Sequence, residues 1–243
     1  MPSPLGPRAQ LVANPPRLPL IAPSILSADF AHMGRDCAHI LASGADLLHL
    51  DVMDGHFVPN LTMGPDLCKA LRRELPDAFL DVHLMVTDPA KFVAPFAAAG
   101  ADLLTFHIEA VRTPEQVREL ASEIRSRGIL VGLAINPPTP MEALEPVLAD
   151  EATLALIDMV LVMSVNPGYS GQKFIAEVLS KASRVREIAR KSRPGLRIQM
   201  DGGVAPANAQ AVRDAGVDVL VAASAIFGQP ADQRAGVIAQ LRG

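Results

Sequence analysis

Two polar side chains interrupt an apolar run early in the chain. His49 and Asp51 stand two residues apart within Leu47–Val52, and the run ends at the turn signal Asp54-Gly55. Residues two apart on a β-strand point to the same face, so this imidazole and this carboxylate lie side by side on a strand. Such a pair is unusual in a buried strand and has to be hydrogen-bonded, metal-bound or catalytic.

The same alternation returns further along the chain. Asp81 and His83 share a face of a second apolar run, and Asp201 ends a third run directly before two glycines. The converging set is two imidazoles and two carboxylates: His49, Asp51, His83 and Asp201. These donors suit Zn²⁺, and also Fe²⁺, Mn²⁺ or Co²⁺, with Asp81 placed to orient a ligand from behind. Separate buried polar groups of a core explain the pattern equally well, so both interpretations stay open.

Three stretches after later apolar runs have the composition of a phosphate site. They are Gly168-Tyr169-Ser170-Gly171, Gly202-Gly203 and Ala223-Ser224. Glycines let backbone N–H groups approach an anion closely, and the start of a helix adds a favourable field. Glycine-rich turns are often only turns, so the signal is their occurrence after three successive runs.

Three methionines fall at run ends on the same side as the polar residues: Met53, Met85 and Met163. Methionine usually fills gaps in a core, and this chain has nine of them. The functional interpretation is an apolar cap that keeps water away from the reacting atoms.

Eight apolar runs alternate with amphipathic stretches, which predicts a (β/α)₈ TIM barrel. The runs are Leu20–Ile25, Leu47–Val52, Phe79–Met85, Leu103–His107, Leu130–Ile135, Met159–Ser164, Leu196–Asp201 and Val217–Ala222. Polar residues at their ends also include Ser24, His107, Asn136 and Ser164. An open doubly wound sheet is the alternative, but its nucleotide-binding form has G-x-G-x-x-G after the first strand, where this chain has no glycine.

Composition limits the possible functions. The chain has 243 residues, 49% of them hydrophobic, and a net charge of −4 without a basic block, so nucleic-acid binding is not predicted. No apolar run approaches the roughly 18 residues of a membrane span. The two cysteines lie in helix-like stretches and indicate no disulfide scaffold, which predicts a reducing, cytoplasmic location.

Residues 1–20 differ in composition from the rest of the chain. They contain six prolines and two arginines, no acidic residue and no apolar period. We expect a poorly ordered or loosely attached arm, followed by one barrel domain over residues 21–243. Organelle targeting through this arm is an alternative to an ordinary ragged N-terminus.

Taken together, these motifs resemble the ribulose-phosphate 3-epimerase family. The resemblance is carried by Ala22–Phe30, His49–Asn60, Asp81–Val86, Met163–Phe174, Met200–Val204 and Ala223–Phe227. It implies a TIM barrel of the ribulose-phosphate-binding type that interconverts D-ribulose 5-phosphate and D-xylulose 5-phosphate in the pentose phosphate pathway. A homo-oligomer, either a dimer or a hexamer, is also implied.

The resemblance assigns roles by position. It implies that Asp51 and Asp201 are the acid/base pair. It also implies one divalent ion, Zn²⁺ foremost, on His49, Asp51, His83 and Asp201. The implied substrate-binding residues are Ser24, His83, Gly168, Tyr169, Ser170, Gly171, Asp201, Gly202, Gly203, Ala223 and Ser224.

Three positions depart from the family pattern. The family often has glycine where this chain has Ser170 and Ala223, and glutamate where it has Gln199. A backbone donor survives such a change wherever φ is negative, so we expect phosphate binding to persist. Gln199 removes one charge near the expected metal.

Other functions share part of this pattern. An allulose 6-phosphate 3-epimerase has most of the same motifs, and a non-catalytic phosphosugar-binding barrel would keep the phosphate loops. A decarboxylase of the orotidine-phosphate type needs Asp-x-Lys-x-x-Asp on the second strand. Met53 stands where that lysine belongs, so we discount this class.

Overall fold

The computed structural model describes residues 6–111 and 113–243, which form the predicted TIM barrel. All strand pairs are parallel, and β1 pairs with β8. A bridge between Ser24 and His49 joins β1 to β2 and closes the ring. The strands are β1 (Leu20–Pro23), β2 (Leu48–Met53), β3 (Leu80–Met85), β4 (Leu103–His107), β5 (Leu130–Ile135), β6 (Met159–Met163), β7 (Arg197–Asp201) and β8 (Val219–Ala222).

The helices surround this ring. They are α1 (Gln10–Ala13), α2 (Met33–Ala42), α3 (Pro65–Glu74), α4 (Ala90–Ala99), α5 (Pro114–Ser126), α6 (Glu145–Ala149), α7 (Glu151–Leu154), α8 (Leu179–Ser192), α9 (Pro206–Asp214), α10 (Ser224–Phe227) and α11 (Arg234–Arg242). Within the described ranges, no helix combines the length and apolar character that crossing a bilayer requires.

The strands are buried on both faces, which explains their nearly continuous apolar runs. One face packs against the helices, and the other fills the barrel interior. The predicted runs extend past several strands by one or two residues, as at Leu47 and Phe79. Both residues are fully or almost fully buried although they precede the ladder, so apolar character alone cannot mark the strand boundary.

Helix α5 illustrates how the sequence specifies the outer layer. Thr113 caps its start by accepting a hydrogen bond from the backbone N–H of Gln116, and Pro114 occupies the first turn. Its buried residues are Val117, Leu120, Ala121 and Ile124, which lie on one helical face. Gly128 follows with φ of 77°, the left-handed conformation expected just after a helix end.

A clamp made of an aspartate and an arginine repeats four times at the N-terminal ends of the strands. In one copy, Asp218 accepts hydrogen bonds from the backbone N–H of Ile198 at 2.9 Å and from the Arg186 guanidinium, which also donates to the carbonyl of Gly216 at 2.7 Å. The other copies join Asp46 to Ile21 and Arg242, Asp102 to Leu80 and Arg72, and Asp158 to Val131 and Arg125. Each clamp therefore ties a helix, an odd-numbered strand and the turn before the next even-numbered strand.

Breaking one clamp should cost much more stability than breaking a surface ion pair. We expect Asp218→Ala to lower the free energy of unfolding by about 3 kcal/mol, because it leaves the mostly buried Arg186 charge uncompensated. Urea unfolding followed by circular dichroism measures this change. The control is Asp88→Ala, whose exposed pair with Lys91 should contribute about 1 kcal/mol or less. Equal losses in the two variants would contradict the clamp's role.

The structure differs from the expected loosely attached arm. Helix α1 and the turn before it place Ala9 and Val12 in the buried cluster at the barrel floor. Arg8 donates to Asp102 at 2.8 Å, and Arg197 donates to the carbonyl of Val12 at 2.8 Å. Leu11 packs against the same cluster, so three apolar side chains dock here although they form no longer period. Residues 1–5 lie outside the described residues.

Candidate active site

Strand register brings the polar residues together at the C-terminal end of the barrel. His49 pairs with Asp81 between β2 and β3, and Asp51 pairs with His83 one step further on. Asp201, the last residue of β7, faces them across the interior. The alternation read from the sequence therefore places the imidazoles and carboxylates on one inward face.

Four ligand atoms from these residues lie within 4.8 Å of one another. The Oδ1 atom of Asp51 is 3.3 Å from His49 Nε2 and 3.1 Å from His83 Nδ1. The Oδ2 atom of Asp201 is 3.9 Å and 3.7 Å from the same two nitrogens. All four residues are buried, with Asp201 the most exposed at 9%. This is the cluster expected from the sequence.

Asp81 fixes the tautomer and the orientation of the His49 ring. Its Oδ2 atom lies 2.7 Å from His49 Nδ1 and also accepts a hydrogen bond from the Gln199 amide at 2.6 Å. Because a carboxylate only accepts hydrogen bonds, Nδ1 of His49 carries a proton. The other nitrogen, Nε2, therefore points into the cluster, where a neutral ring offers its electron pair.

The environments of the two catalytic candidates separate their pKa values. Burial and the neighbouring Asp51 carboxylate raise the pKa of Asp201 to about 8. Burial also opposes ionisation of Asp51, but His49 and His83 outweigh it and hold the pKa of Asp51 well below its usual value. One carboxyl is thus protonated and the other ionised at neutral pH.

The pKa values of the two imidazoles, His49 and His83, also differ. Burial disfavours the charged form of His49, but Asp81 and Asp51 outweigh it and raise the pKa of His49 well above its usual value. Burial lowers the pKa of His83 to about 4, despite the Asp51 carboxylate, whose Oδ1 lies 3.1 Å from His83 Nδ1. Protons on His49 and Asp201 therefore balance the charge of the cluster when no cation lies in it.

This cluster can hold a divalent metal ion. Its two nitrogen and two oxygen donors match the ligands of Zn²⁺ and of neighbouring transition metals, and a bound ion would displace the proton on His49 Nε2. Among the described residues, Asp81 Oδ1 and Gln199 Oε1 have no hydrogen-bond partner. The donor chemistry does not select one metal over the others.

A pocket opens above the two aspartates. Asp51 and Asp201 line it, whereas His49 and His83 do not and lie buried beside them. The remaining predicted residues all line it: Ser24, Met53, Met85, Met163, Gly168, Tyr169, Ser170, Gly171, Gly202, Gly203, Ala223 and Ser224.

Backbone shape supports the predicted phosphate loops. Gly202 has φ of 117°, and a Cβ atom there would lie 2.4 Å from the Val165 side chain, so only glycine fits. Ala223 has φ of −106°, and no described non-glycine residue has positive φ, so Ser170 also keeps ordinary backbone geometry. Because φ is not positive at Ala223 or Ser170, alanine and serine can replace glycine at these two positions and keep the backbone donor.

Two loops meet over the pocket. The Asn60 side chain donates to the carbonyl of Gly168 at 2.7 Å, and the Tyr169 hydroxyl donates to the carbonyl of Pro59 at 2.7 Å. These contacts join the loop after β2 to the loop after β6. The glycine-rich stretch is therefore held over the aspartates by side-chain contacts that motif spacing did not reveal.

Comparison with known proteins identifies the family. The model of the Ribulose-phosphate 3 epimerase family matches residues 20–227. The chain belongs to the ribulose-phosphate 3-epimerase family. A ribulose-phosphate 3-epimerase of Serratia marcescens is 48% identical over 211 residues, covering 87% of this chain and 96% of that protein. One of Bacillus subtilis is 44% identical over 224 residues, covering 92% and 98%.

Solved structures of other proteins share the fold alone. A 3-keto-L-gulonate-6-phosphate decarboxylase from Vibrio cholerae superposes with a TM-score of 0.66 at 15% identity, covering 93% of this chain and 96% of that one. The family assignment rests on the sequence relatives, and it makes this chain an epimerase.

Two residues beside the epimerase cluster received no role from the sequence. His83 Nε2 lies 2.8 Å from His107 Nε2, and His107 Nδ1 lies 3.1 Å from Glu109 Oε2. His107 was recognised only as a polar residue at a strand end. The usable signal was its position at the end of β4, next to β3, which carries His83.

Loss of either imidazole should empty the metal site of the epimerase. We expect His49→Ala and His83→Ala to lose most bound metal while the barrel stays folded, because each removes one donor from a rigid rim. Elemental analysis of protein purified without chelator measures metal content, and circular dichroism checks the fold. The control is His32→Ala, an exposed histidine paired with Asp29. Full occupancy in both cluster variants would contradict the assignment.

Proposed function

We propose that this epimerase interconverts D-ribulose 5-phosphate and D-xylulose 5-phosphate by moving protons to and from carbon 3. Asp51 and Asp201 are the base and the acid. The observation that carries this proposal is the pair itself: two carboxyl groups line one pocket, and their pKa values differ in opposite directions from the usual value.

Inversion at carbon 3 needs one group to remove a proton and another to deliver a proton from the opposite side. The hydrogen on carbon 3 lies next to the ketone, so its removal gives an enediolate. Asp51 is ionised and can accept the proton, while Asp201 is protonated and can supply one. After one turnover the two have exchanged protonation states, which suits a reaction that runs in both directions.

The positions of Asp51 and Asp201 in the barrel support their separate roles as base and acid. Asp51 lies on β2 and Asp201 on β7, and two further strands, β1 and β8, separate them around the ring. Ser24 donates a hydrogen bond to Oδ2 of Asp51, which fixes the orientation of that carboxylate. A substrate carbon lying between the two strands would present one face to each aspartate.

The cluster would hold one divalent ion, with Zn²⁺ the foremost candidate and Fe²⁺, Mn²⁺ or Co²⁺ the others. When bound, such an ion supplies positive charge that stabilises the enediolate by several kcal/mol. The described residues fix the geometry of the ligand atoms and exclude water. His49, Asp81 and Gln199 keep the donor geometry fixed, and the almost fully buried Met53, Met85 and Met163 exclude water from carbon 3.

The loops around Gly171, Gly203 and Ser224 would hold the substrate phosphate through backbone N–H groups. Gly171 and Gly203 have φ of 78° and 66°, which makes their turns accessible to glycine but strained for other residues. Phosphate binding away from carbon 3 gives energy that can be used in the transition state. We also propose a homo-oligomer, a dimer or a hexamer, and a cytoplasmic role in the pentose phosphate pathway. The oligomer and the pathway rest on the family resemblance, and the cytoplasmic location rests on the two cysteines without a disulfide scaffold.

Substrate preference tests the proposal. We expect kcat/KM for D-ribulose 5-phosphate to exceed that for D-ribulose by about 10³-fold or more, because the dephosphorylated sugar lacks the remote binding energy. D-Allulose 6-phosphate is the second comparison and should react at least about 10-fold less efficiently. Comparable values with and without phosphate would refute the phosphate site. A higher value for the hexulose phosphate would reassign the substrate, and absence of both turnover and metal would indicate a non-catalytic barrel.

Isotope exchange tests the two aspartates separately. We expect Asp201→Asn to abolish epimerisation while deuterium from heavy water still enters carbon 3 of one epimer, since Asp51 still serves one face. Asp51→Asn should reverse the choice of epimer. Nuclear magnetic resonance of each epimer measures the exchange, and Asp88→Asn, an exposed carboxylate, is the control.

Metal content is measured in parallel, because both aspartates also belong to the metal cluster. Equal deuterium entry into both epimers by metal-loaded Asp201→Asn would contradict a mechanism with two bases.

A further inference from the structure

A second pair of polar side chains lies behind the metal cluster, on the side of His83 away from Asp51. His107, at the end of β4, is fully buried, and its Nε2 lies 2.8 Å from His83 Nε2. The two ring planes differ by only 24°, so one hydrogen bond can run straight between these nitrogens. On its other side, His107 Nδ1 lies 3.1 Å from Glu109 Oε2.

The chemistry of these three groups fixes where the protons lie. Glu109 is a carboxylate and only accepts, so the proton of a neutral His107 is on Nδ1. Nε2 of His107 is then an acceptor, and only one of the two facing Nε2 atoms can carry the shared proton. In this pair His83 is therefore the donor through Nε2, and its Nδ1 electron pair faces Asp51 Oδ1 at 3.1 Å, an arrangement that a cation between the two atoms would satisfy.

Glu109 is itself held in place by the neighbouring strand–helix unit. Its Oε1 accepts the backbone N–H of Asn136 at 2.8 Å. The loop that contains Asn136 is fixed by Lys181, whose ammonium donates to the carbonyls of Asn136 at 3.0 Å and Pro137 at 2.7 Å. The Phe57 ring lies 4.9 Å from the His107 ring. The pair of His107 and Glu109 is thus held by the loop after β5, by α8 and by the loop after β2.

We propose that His107 and Glu109 are positioning residues that hold His83 in the tautomer whose Nδ1 is free to bind the divalent ion. This inference rests on the proposed metal site and extends it to residues that do not line the pocket in the described chain. It mirrors the arrangement on the other side of the cluster, where Asp81 holds His49 with Nε2 facing inward. Both imidazoles would be oriented by partners outside the ligand set.

Three variants test this role. His107→Phe removes the acceptor for His83 Nε2 but keeps a planar ring, whereas His107→Gln keeps an oxygen near the position of the lost nitrogen. We expect His107→Phe to weaken binding of Zn²⁺ by about 10- to 100-fold and His107→Gln by less than about 5-fold. Glu109→Ala should weaken it by about 10-fold. The control is His39→Phe on α2, which should leave the Kd unchanged.

Competition against a chromophoric chelator measures the Kd of Zn²⁺. Nitrogen-15 resonance spectra of the metal-free protein report which His83 nitrogen carries the proton. We expect Nε2 in the native protein and in His107→Gln, and a mixture in His107→Phe and in Glu109→Ala. Glu109→Ala keeps the test decisive should His107→Phe fail to fold.

The outcomes separate the two levels of inference. A native protein that binds no Zn²⁺ would overturn the proposed metal site, and this inference with it. Native binding with unchanged Kd and unchanged His83 tautomer in His107→Phe or Glu109→Ala would overturn the positioning role alone.

Discussion

Buried carboxylates and imidazoles whose electron pairs converge require positive charge between them. The centre of this barrel meets that requirement with His49, Asp51, His83 and Asp201, whose ligand atoms lie within 4.8 Å of one another. The protonation states of the surrounding residues depend on this need for positive charge. Protons on His49 and Asp201 balance the charge in the metal-free protein, and a divalent ion would displace the one on His49 Nε2. The same crowding lowers the pKa of the Asp51 carboxyl and raises the pKa of the Asp201 carboxyl, so two neighbouring carboxyl groups differ in protonation state.

The two ends of the barrel divide stability from chemistry. At the floor, four partly or fully buried aspartates are each paired with an arginine and a backbone N–H group, so their charges are compensated. At the mouth, the aspartates stand next to each other without an arginine partner among the described contacts. The unfavourable closeness of Asp51 and Asp201 can persist because a rigid ring, fixed at its other end, holds their strands.

The sequence predicted the features that depend on local periodicity. Alternation along single strands placed His49 beside Asp51 and Asp81 beside His83, and the rhythm of runs predicted the barrel. The features it missed depend on which residues meet across elements. Nothing local shows that His107 would face His83, since that contact follows from strand register and ring orientation. Docking of Ala9 and Val12 was missed because it depends on an uncovered barrel floor.

One of the four clamps joins the last helix to the first strand of the barrel. Arg242, the last residue of α11, donates to Asp46 at 2.8 Å and to the carbonyl of Pro19 at 3.1 Å, just before β1. The junction between the end and the start of the barrel is therefore built like the three junctions inside the chain. The ring has no structurally distinct first unit. A circularly permuted chain, opened at another surface turn and joined across the present ends, would keep all four clamps and the same active-site geometry.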